Sequence, residues 1–422
     1  MTEVKEELLR PLVRTGKAFY ALFGLLLAIL AWFGYTWYTQ LTQGLVVTGM
    51  GNSPSGAPWG IYISAFIFTI GTASAGMSIG LLSRVANVKE FHPIRRIAEL
   101  TCVTFLILMF LFVLFDLGRP DRILNLFTSG QILSPLYWDI VVVTLYLVLS
   151  TIAIYLPLRT DMANLKHTVS GWRRLIHRIL GWRYSKGEVD VHERAGWWLA
   201  IAILLVMAAV HAGVVPWIFG LVAARAGWYN PFYAQYFGLA HVFNGFAVVI
   251  IIVAIVRRFL KLQDLIPPET FKKLGLALLI LTVLYLHFMF SEQLTMRFAP
   301  PTAEFEVSQQ MLFGAWGWAY WAATFFLVSS VLILVSPLRG RVSWVVLAGV
   351  FTSIALYLKR IVIIVPPLIR SRLPFYPTGV YVPTWVEWSL TIGAFALGTL
   401  IIALFIKLFP IIEMEAVEKG SK

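Results

Sequence analysis

Ten long apolar segments dominate the chain, and each reaches the ~20 residues that a helix needs to cross the ~30 Å core of a bilayer. They cover residues 18–41, 58–84, 95–117, 134–157, 195–224, 236–256, 274–296, 312–336, 342–366 and 384–408. Backbone groups inside lipid need partners within the protein, and the segments lack the residue-by-residue alternation of barrel strands. The sequence therefore predicts an all-α integral membrane protein, with residues 1–422 forming one polytopic domain of about ten transmembrane helices.

The composition excludes several classes of soluble protein. Of the 422 residues, 59% are hydrophobic and 13% are charged, whereas soluble domains carry about 25% charged residues. Cys102 is the only cysteine, so this chain alone cannot form a disulfide, an iron–sulfur cluster ligated by cysteines or a structural zinc site made of thiolates. No phosphate-binding loop, dinucleotide fingerprint, Ser–His–Asp set or nucleic-acid signature is present, and we predict no metal site and no nucleic-acid partner.

The basic residues are concentrated in alternate loops. The loops after the second, fourth, sixth and eighth segments and the N-terminal tail hold most Lys and Arg, whereas residues 51–57 and 373–383 carry no charge. The net charge of +13 therefore indicates topology. The positive-inside rule predicts a multi-pass protein of the cell membrane with cytoplasmic N- and C-termini. The first segment is long enough to span, so we expect it to remain as a helix rather than to be cleaved as a signal peptide.

Residues 158–194 form the longest polar stretch, and we predict a cytoplasmic basic loop. Within it, Trp172, Leu175, Ile179 and Trp182 alternate with Arg. This pattern favours either an amphipathic helix lying on the inner leaflet or an ordinary basic loop.

Three charged residues are candidates for chemistry at the outer face. Asp116 ends the third segment, Arg119 follows it, and Asp139 lies one turn into the fourth segment. Ionisable residues at such positions are costly, so each needs a reason to be there. A carboxylate at this depth can exchange a proton with a redox-active ring, and a neighbouring Arg can hold it ionised. The alternative is an Asp–Arg pair that only ties the third and fourth helices together.

A second group of ionisable residues lies deeper in the membrane. His211 and His287 occur in the fifth and seventh segments at depths that would suit a haem b ligand pair, although a core hydrogen bond is the more common role of such a histidine. Glu292 follows His287 in the seventh segment, and Lys359 and Arg360 lie in the ninth. The charges of Lys359 and Arg360 either line a polar path, pair with Glu292 or snorkel outward.

Five motifs in this order resemble the NrfD family, the quinone-interacting membrane subunits of polysulfide reductase and alternative complex III. The resemblance covers roughly residues 55–370. The motifs are WGIYISAFIFTIGTASAG (59–76), LGRP (117–120), SPLYWDIVVVTLYLVLS (134–150), FSEQLT (290–295) and KRIVIIVP (359–366).

The resemblance implies a fold and a set of partners. Longer members are similar in having ten helices, with helices 2–5 and 6–9 forming two four-helix bundles, and in lacking haem. They bind quinone near the outer face, beside a ferredoxin-like iron–sulfur subunit that serves a molybdopterin catalytic subunit. Asp139 matches the carboxylate typical of the fourth helix. Asp116 stands where many members have His, and Lys359 stands where relatives often have Glu before the Arg.

The leading hypothesis is a membrane anchor subunit, not a complete enzyme alone, that exchanges electrons between the quinone pool and an iron–sulfur subunit in a complex of the sulfur or polysulfide reductase type. Its cofactor would be a menaquinone-like or other quinone, with no haem or iron–sulfur cluster in this chain. The alternatives are a secondary transporter and a haem b cytochrome. The candidate residues are Asp139, Asp116 and Arg119 for catalysis, Trp138, His211 and Trp59 for quinone binding, and Glu292, His287, Arg360 and Lys359 for a proton path.

Overall fold

The structure is a computed structural model that describes residues 9–51, 55–165, 169, 171–181, 189–222, 224–230, 232–298, 302–373 and 375–414. These residues are largely helical and contain no strand, and ten of their helices are long and apolar enough to cross a membrane. We number these helices α1 (Lys17–Gln43), α2 (Ile61–Arg84), α3 (Arg95–Asp116), α4 (Pro135–Leu165), α5 (Val189–Ala209), α6 (Tyr233–Phe259), α7 (Pro268–Arg297), α8 (Gly317–Val335), α9 (Val342–Ile369) and α10 (Trp385–Leu408).

The prediction of an all-α, ten-helix membrane protein is confirmed, and several helix ends differ from the predicted ones. A π-helical turn at Val210–Val214 and a last helical piece at Val215–Gly220 extend α5. Helix α4 continues past the predicted end at residue 157 to Leu165. Hydropathy locates only the apolar part of a helix, whereas the last turns of α4 are more polar, and a carboxylate there has a partner. Asp161 is 2.6 Å from the Arg96 guanidinium.

Helix α2 lies at the centre of the molecule and packs against α3 and α6. Its small residues allow close approach, because a Cβ added at Gly76 would overlap the Ala98 carbonyl of α3. On the α6 side, a Cβ added at Gly245 would lie 2.6 Å from the backbone nitrogen of Ala75. The arrangement of α2–α5 and α6–α9 as two four-helix bundles, which the resemblance implies, stays a prediction.

The two ends of the helix assembly differ in charge. We define the basic end by the C-terminal ends of α2, α4, α6 and α8, which the cationic loops follow. The opposite end, where α3 ends and α4 begins, we define as the cavity end. Part of the predicted loop 158–194 lies outside the described residues, including Trp182, but Trp172–Leu180 forms a short helix at the basic end.

Buried charges fix the segment that follows α10 at the basic end. Arg96 is 1% exposed and donates to the backbone carbonyls of Pro410 (2.9 Å) and Ile412 (3.3 Å). Arg95 donates from Nε and Nη2 to the two oxygens of the Glu413 carboxylate. Burial raises the pKa of Glu413, but Arg95, Arg96 and Arg84 outweigh burial and lower the pKa to about 2. The C-terminal segment is therefore held by an ionised carboxylate.

The variant Glu413→Gln should be less stable than the parent at neutral pH, and the difference should disappear in acid. The folded-state pKa of Glu413 lies below its ordinary value of 4.5, so its contribution is complete above pH 4.5 and is lost as pH falls towards 2. Linkage puts this pH-dependent contribution on the order of a few kcal/mol. Thermal unfolding of the two purified proteins between pH 7 and pH 2 measures this loss. A difference that is constant with pH would contradict the assignment.

Candidate functional site

A cavity of about 620 Å³ lies at the cavity end, among the start of α2, the end of α3, the start of α4 and the last piece of α5. Small-molecule sites typically enclose ~300–1,000 Å³ and are mostly apolar, with a few polar groups that fix orientation. The wall of this cavity is also mostly apolar. It includes Ile63 and Phe66 from α2, Val113 from α3, Leu136 and Ile140 from α4, and Ile218 and Phe219 from the end of α5.

Two carboxylates face this cavity. Asp116 is the last residue of α3, and Asp139 lies one turn into α4, a helix that begins at Pro135. Asp139 is only 4% exposed and Asp116 is half-buried. The Oδ1 atom of each side chain is buried and accepts no hydrogen bond within the described residues. A buried acceptor without a donor costs ~1–3 kcal/mol, so each of these oxygens has the capacity to accept a further hydrogen bond.

Arg119 also lines the cavity, but its guanidinium forms an ion pair with neither Asp116 nor Asp139. Its guanidinium donates two bonds to Asp121, at 2.9 and 2.8 Å, and both side chains are more than half exposed. The hydrogen bond from Arg119 lowers the pKa of Asp121, so this rim pair stays ionised. The expected contact of Arg119 with the outer carboxylates is thus replaced by a local pair. Arg122, three residues further along the chain, lines the cavity as well.

An aromatic stack forms one side of the cavity. The Trp59 ring lies 5.8 Å from the Trp228 ring at an interplanar angle of 23°, and both contact Phe219 edge-on. Trp228 is buried, and its indole N–H donates to the Ile363 carbonyl at 2.8 Å. Trp59 is therefore held in place by Trp228 and Phe219, and its role in ring binding stays a prediction.

Two of the predicted quinone-binding residues do not line the cavity. Trp138 is 42% exposed, and its indole N–H donates to the Ile132 carbonyl at 2.7 Å. His211 lies in the π-helical turn of α5, where its Nδ1 is 3.0 Å from Nδ1 of His241. The structure thus pairs His211 with His241 of α6 and not with His287, which is exposed.

Helices α1 and α10 hold the walls of the cavity through buried polar contacts. From α1, Gln40 donates to the Phe115 carbonyl at 2.7 Å, next to Asp116, and accepts from the Tyr62 hydroxyl at 2.7 Å. From the α10 side, the Tyr381 hydroxyl accepts from the Ile61 N–H at 2.9 Å. Tyr381 is fixed in turn by Glu387, which is fully buried.

We expect Gln40→Met to lower the free energy of unfolding by about 1–3 kcal/mol. The substitution leaves the buried Tyr62 hydroxyl and the Phe115 carbonyl without their partner, and an unpaired buried polar group costs that amount. Gln43→Met is the matched control, because Gln43 is exposed on the same helix. Thermal unfolding of both variants checks the expectation, which is wrong if the two behave alike.

The predicted proton-path residues fall into a buried group and one outlier. Lys359 and Glu292 are fully buried and lie 2.5 Å apart, from Nζ to Oε2. Arg360 is 1% exposed and packs over the Phe237 ring at 5.4 Å. His287 is exposed on α7 and does not join them. The snorkelling alternative for Lys359 and Arg360 is therefore wrong, and their role in proton transfer stays a prediction.

Comparison with known proteins agrees with this architecture. The chain is similar to a putative dimethyl sulfoxide reductase membrane protein of Halobacterium salinarum, with 25% identity over 89% of this chain and 87% of that protein. A component of the selenate reductase of Mesobacillus selenatarsenatis is 24% identical, over 89% and 90% of the two chains. The menaquinone reductase integral membrane subunit of Nitratidesulfovibrio vulgaris is 22% identical, over 91% and 90%.

A family model described as "Polysulphide reductase, NrfD" matches residues 47–370. This range contains all of α2–α9 and the cavity, and it leaves out α1 and α10, which hold the cavity walls from outside. Since the match covers most of the chain, the protein belongs to the NrfD polysulphide reductase family.

Proposed function

We propose that the chain is a quinone- or quinol-binding membrane subunit of a multi-subunit oxidoreductase. The observation that carries this proposal is the cavity at the cavity end, where Asp116 and Asp139 each present a buried, unpartnered oxygen beside the Trp59 surface. The relatives are named as subunits of dimethyl sulfoxide, selenate and menaquinone reductases. Those names support a role in passing electrons between the quinone pool and an attached catalytic unit.

The chemistry of the cavity suits a quinone ring. A quinol that is oxidised to a quinone releases two electrons and two protons, and a quinone that is reduced takes them up. An ionised carboxylate accepts a hydrogen bond and then a proton from a quinol hydroxyl, and a protonated one donates to a quinone carbonyl. Asp116 and Asp139 supply one such group each, and the stacked Trp59 supplies a face for the ring.

The electrons would pass to a partner subunit, because a chain with the single cysteine Cys102 cannot ligate an iron–sulfur cluster through several thiolates. We propose an iron–sulfur subunit docked at the cavity end, with a molybdopterin catalytic subunit beyond it. In this arrangement the chain is one subunit and not a complete enzyme. The terminal substrate, whether a sulfur compound or another acceptor, belongs to the catalytic subunit.

We further propose that the cavity end faces the outside of the cell membrane and that the basic end and both termini are cytoplasmic, following the positive-inside rule. Cys102 is buried, so single engineered cysteines can report topology. On intact cells that express the chain without its partner subunits, an impermeant maleimide should label Thr128→Cys at the cavity end, and Asp264→Cys at the basic end only after permeabilisation. Both positions are exposed. The reverse pattern would overturn the orientation.

A photoreactive quinone analogue tests the proposed function directly on the purified complex. We expect cross-links on peptides from the end of α3 and the start of α4, and competition by excess unlabelled quinone. Cross-links confined to other helices would contradict the site. Solute uptake by the chain alone in proteoliposomes, without cross-linking, would favour the transporter alternative.

A further inference from the structure

Three separate segments meet at one place on the basic end. They are residues 9–13, the short helix Trp172–Leu180 and the last turn of α10. The Arg173 guanidinium donates to the Leu12 carbonyl. The Lys407 ammonium donates to the carbonyls of Pro11 and Arg14, both at 3.0 Å. We define this surface as the basic patch.

The basic patch carries cations that have no carboxylate partner among the described residues. Arg10, Arg14, Lys17, Arg173, Arg178 and Lys407 belong to it, and within the described part of the chain none of the six forms an ion pair with a carboxylate. Other cations of the basic end do have such partners, since Arg95 pairs with Glu413 and Lys273 pairs with Glu90. The positive charge of the patch is therefore a local feature and not a general property of this end.

One donor of the patch is buried and unpaired. Arg173 Nε has no exposed surface and no hydrogen-bond partner among the described residues, although the same guanidinium binds the Leu12 carbonyl through Nη1. A buried charged donor without an acceptor is costly, and the cost is removed when an anion supplies the acceptor. Arginine is well suited to this role because its fork matches the oxygens of a phosphate.

An apolar stripe runs beside these cations. Trp172, Leu175 and Ile179 are 61%, 56% and 61% exposed, and their spacing of three and four residues puts them on one face of the short helix. A cationic helix with such a face lies in the membrane interface, with the apolar side chains at acyl-chain depth and the cations at headgroup depth. Basic pockets at the ends of spanning helices bind anionic headgroups in this geometry.

We propose that the basic patch is a binding site for one anionic phospholipid. The phosphate would accept from Arg173 Nε, with Arg14, Arg178 and Lys407 supplying further positive charge, and the acyl chains would lie along Trp172, Leu175 and Ile179. A bound lipid would tie residues 9–13, the short helix and α10 together. The proposal does not depend on the proposed quinone chemistry at the other end of the molecule.

The test is native mass spectrometry of the full-length protein released from mixed phosphatidylglycerol and phosphatidylcholine. We expect retained phosphatidylglycerol on the parent protein, and at least ten-fold less on Arg14→Gln/Arg178→Gln. These two exposed side chains make no hydrogen bond among the described residues, so the variant should fold. The matched control is Arg258→Gln/Arg341→Gln, which removes the same charge from two other exposed positions at the basic end. Retention of phosphatidylglycerol by the control supports the proposal.

Three outcomes would overturn it. Equal loss of phosphatidylglycerol in both double variants would show that lipid retention depends on overall charge and not on the basic patch. Equal retention of phosphatidylcholine and phosphatidylglycerol by the parent would remove the requirement for an anion. Complete displacement of phosphatidylglycerol by millimolar inorganic phosphate would identify the ligand as a soluble anion. As a second variant, Arg173→Gln should lose phosphatidylglycerol as strongly as the double variant does, because it removes the buried donor.

Discussion

Asp139→Asn is expected to reduce quinol-linked turnover of the assembled complex by about 100-fold or more. Asp139 is 4% exposed, lines the cavity and has one buried oxygen without a donor among the described residues. Asparagine keeps the shape and the capacity to hydrogen bond, but it cannot take up or release a proton. A positioned acid or base contributes ~10²–10⁴-fold to proton transfer, and this is the contribution that the substitution removes.

The measurement compares two electron donors on the same preparation. A quinol analogue must react through the cavity, whereas a reduced viologen dye can feed the catalytic unit directly. We expect only the quinol-linked rate to fall. Asp264→Asn is the matched control, because Asp264 is an exposed carboxylate at the basic end. Full quinol-linked turnover in Asp139→Asn would remove this residue from the chemistry, and the same pair of assays on Asp116→Asn would then test the second carboxylate.

The helices and the two carboxylates at the cavity end could be predicted from the sequence because both signals are local. A run of apolar residues indicates a spanning helix whatever its neighbours are, and an aspartate at the end of such a run needs a reason to be there. Asp116, Asp139 and Trp59 line one cavity, and their roles in catalysis and quinone binding stay predictions.

Contacts between helices could not be predicted in the same way. The pairing of His211 with His241 depends on the π-helical turn that orients His211 and on the packing of that turn against α6. Gln40 and Tyr381 support the cavity walls through contacts with Phe115 and Ile61, at sequence distances of 75 and 320 residues. A single sequence carries no signal for such distances. Arg119 is a different case, since its partner Asp121 is two residues away, and only side-chain geometry shows the pair.

Lys359→Met is expected to destabilise the protein by about 3–5 kcal/mol. Lys359 and Glu292 are both fully buried and lie 2.5 Å apart, and Glu292 Oε1 has no partner among the described residues. Removing one member of a buried ion pair leaves an uncompensated charge, which typically costs that amount. Methionine fills the volume of the lysine stem, so a packing defect contributes little to the loss.

The double variant Lys359→Met/Glu292→Gln completes the cycle and isolates the pair from its surroundings. It removes both charges, so we expect most of the lost stability to return, as is often found when a buried pair is replaced as a unit. The measurement is the apparent melting temperature, in one detergent, of the parent, Lys359→Met, Glu292→Gln and the double variant. A double variant as unstable as Lys359→Met would contradict an isolated pair and would indicate that Arg360, next to Lys359 and also buried, interacts with it.

Quinol-linked turnover of the stable double variant then separates two roles. Retained turnover would indicate that the pair only stabilises the fold. Lost turnover in a stable protein would support the predicted proton path through Glu292 and Lys359.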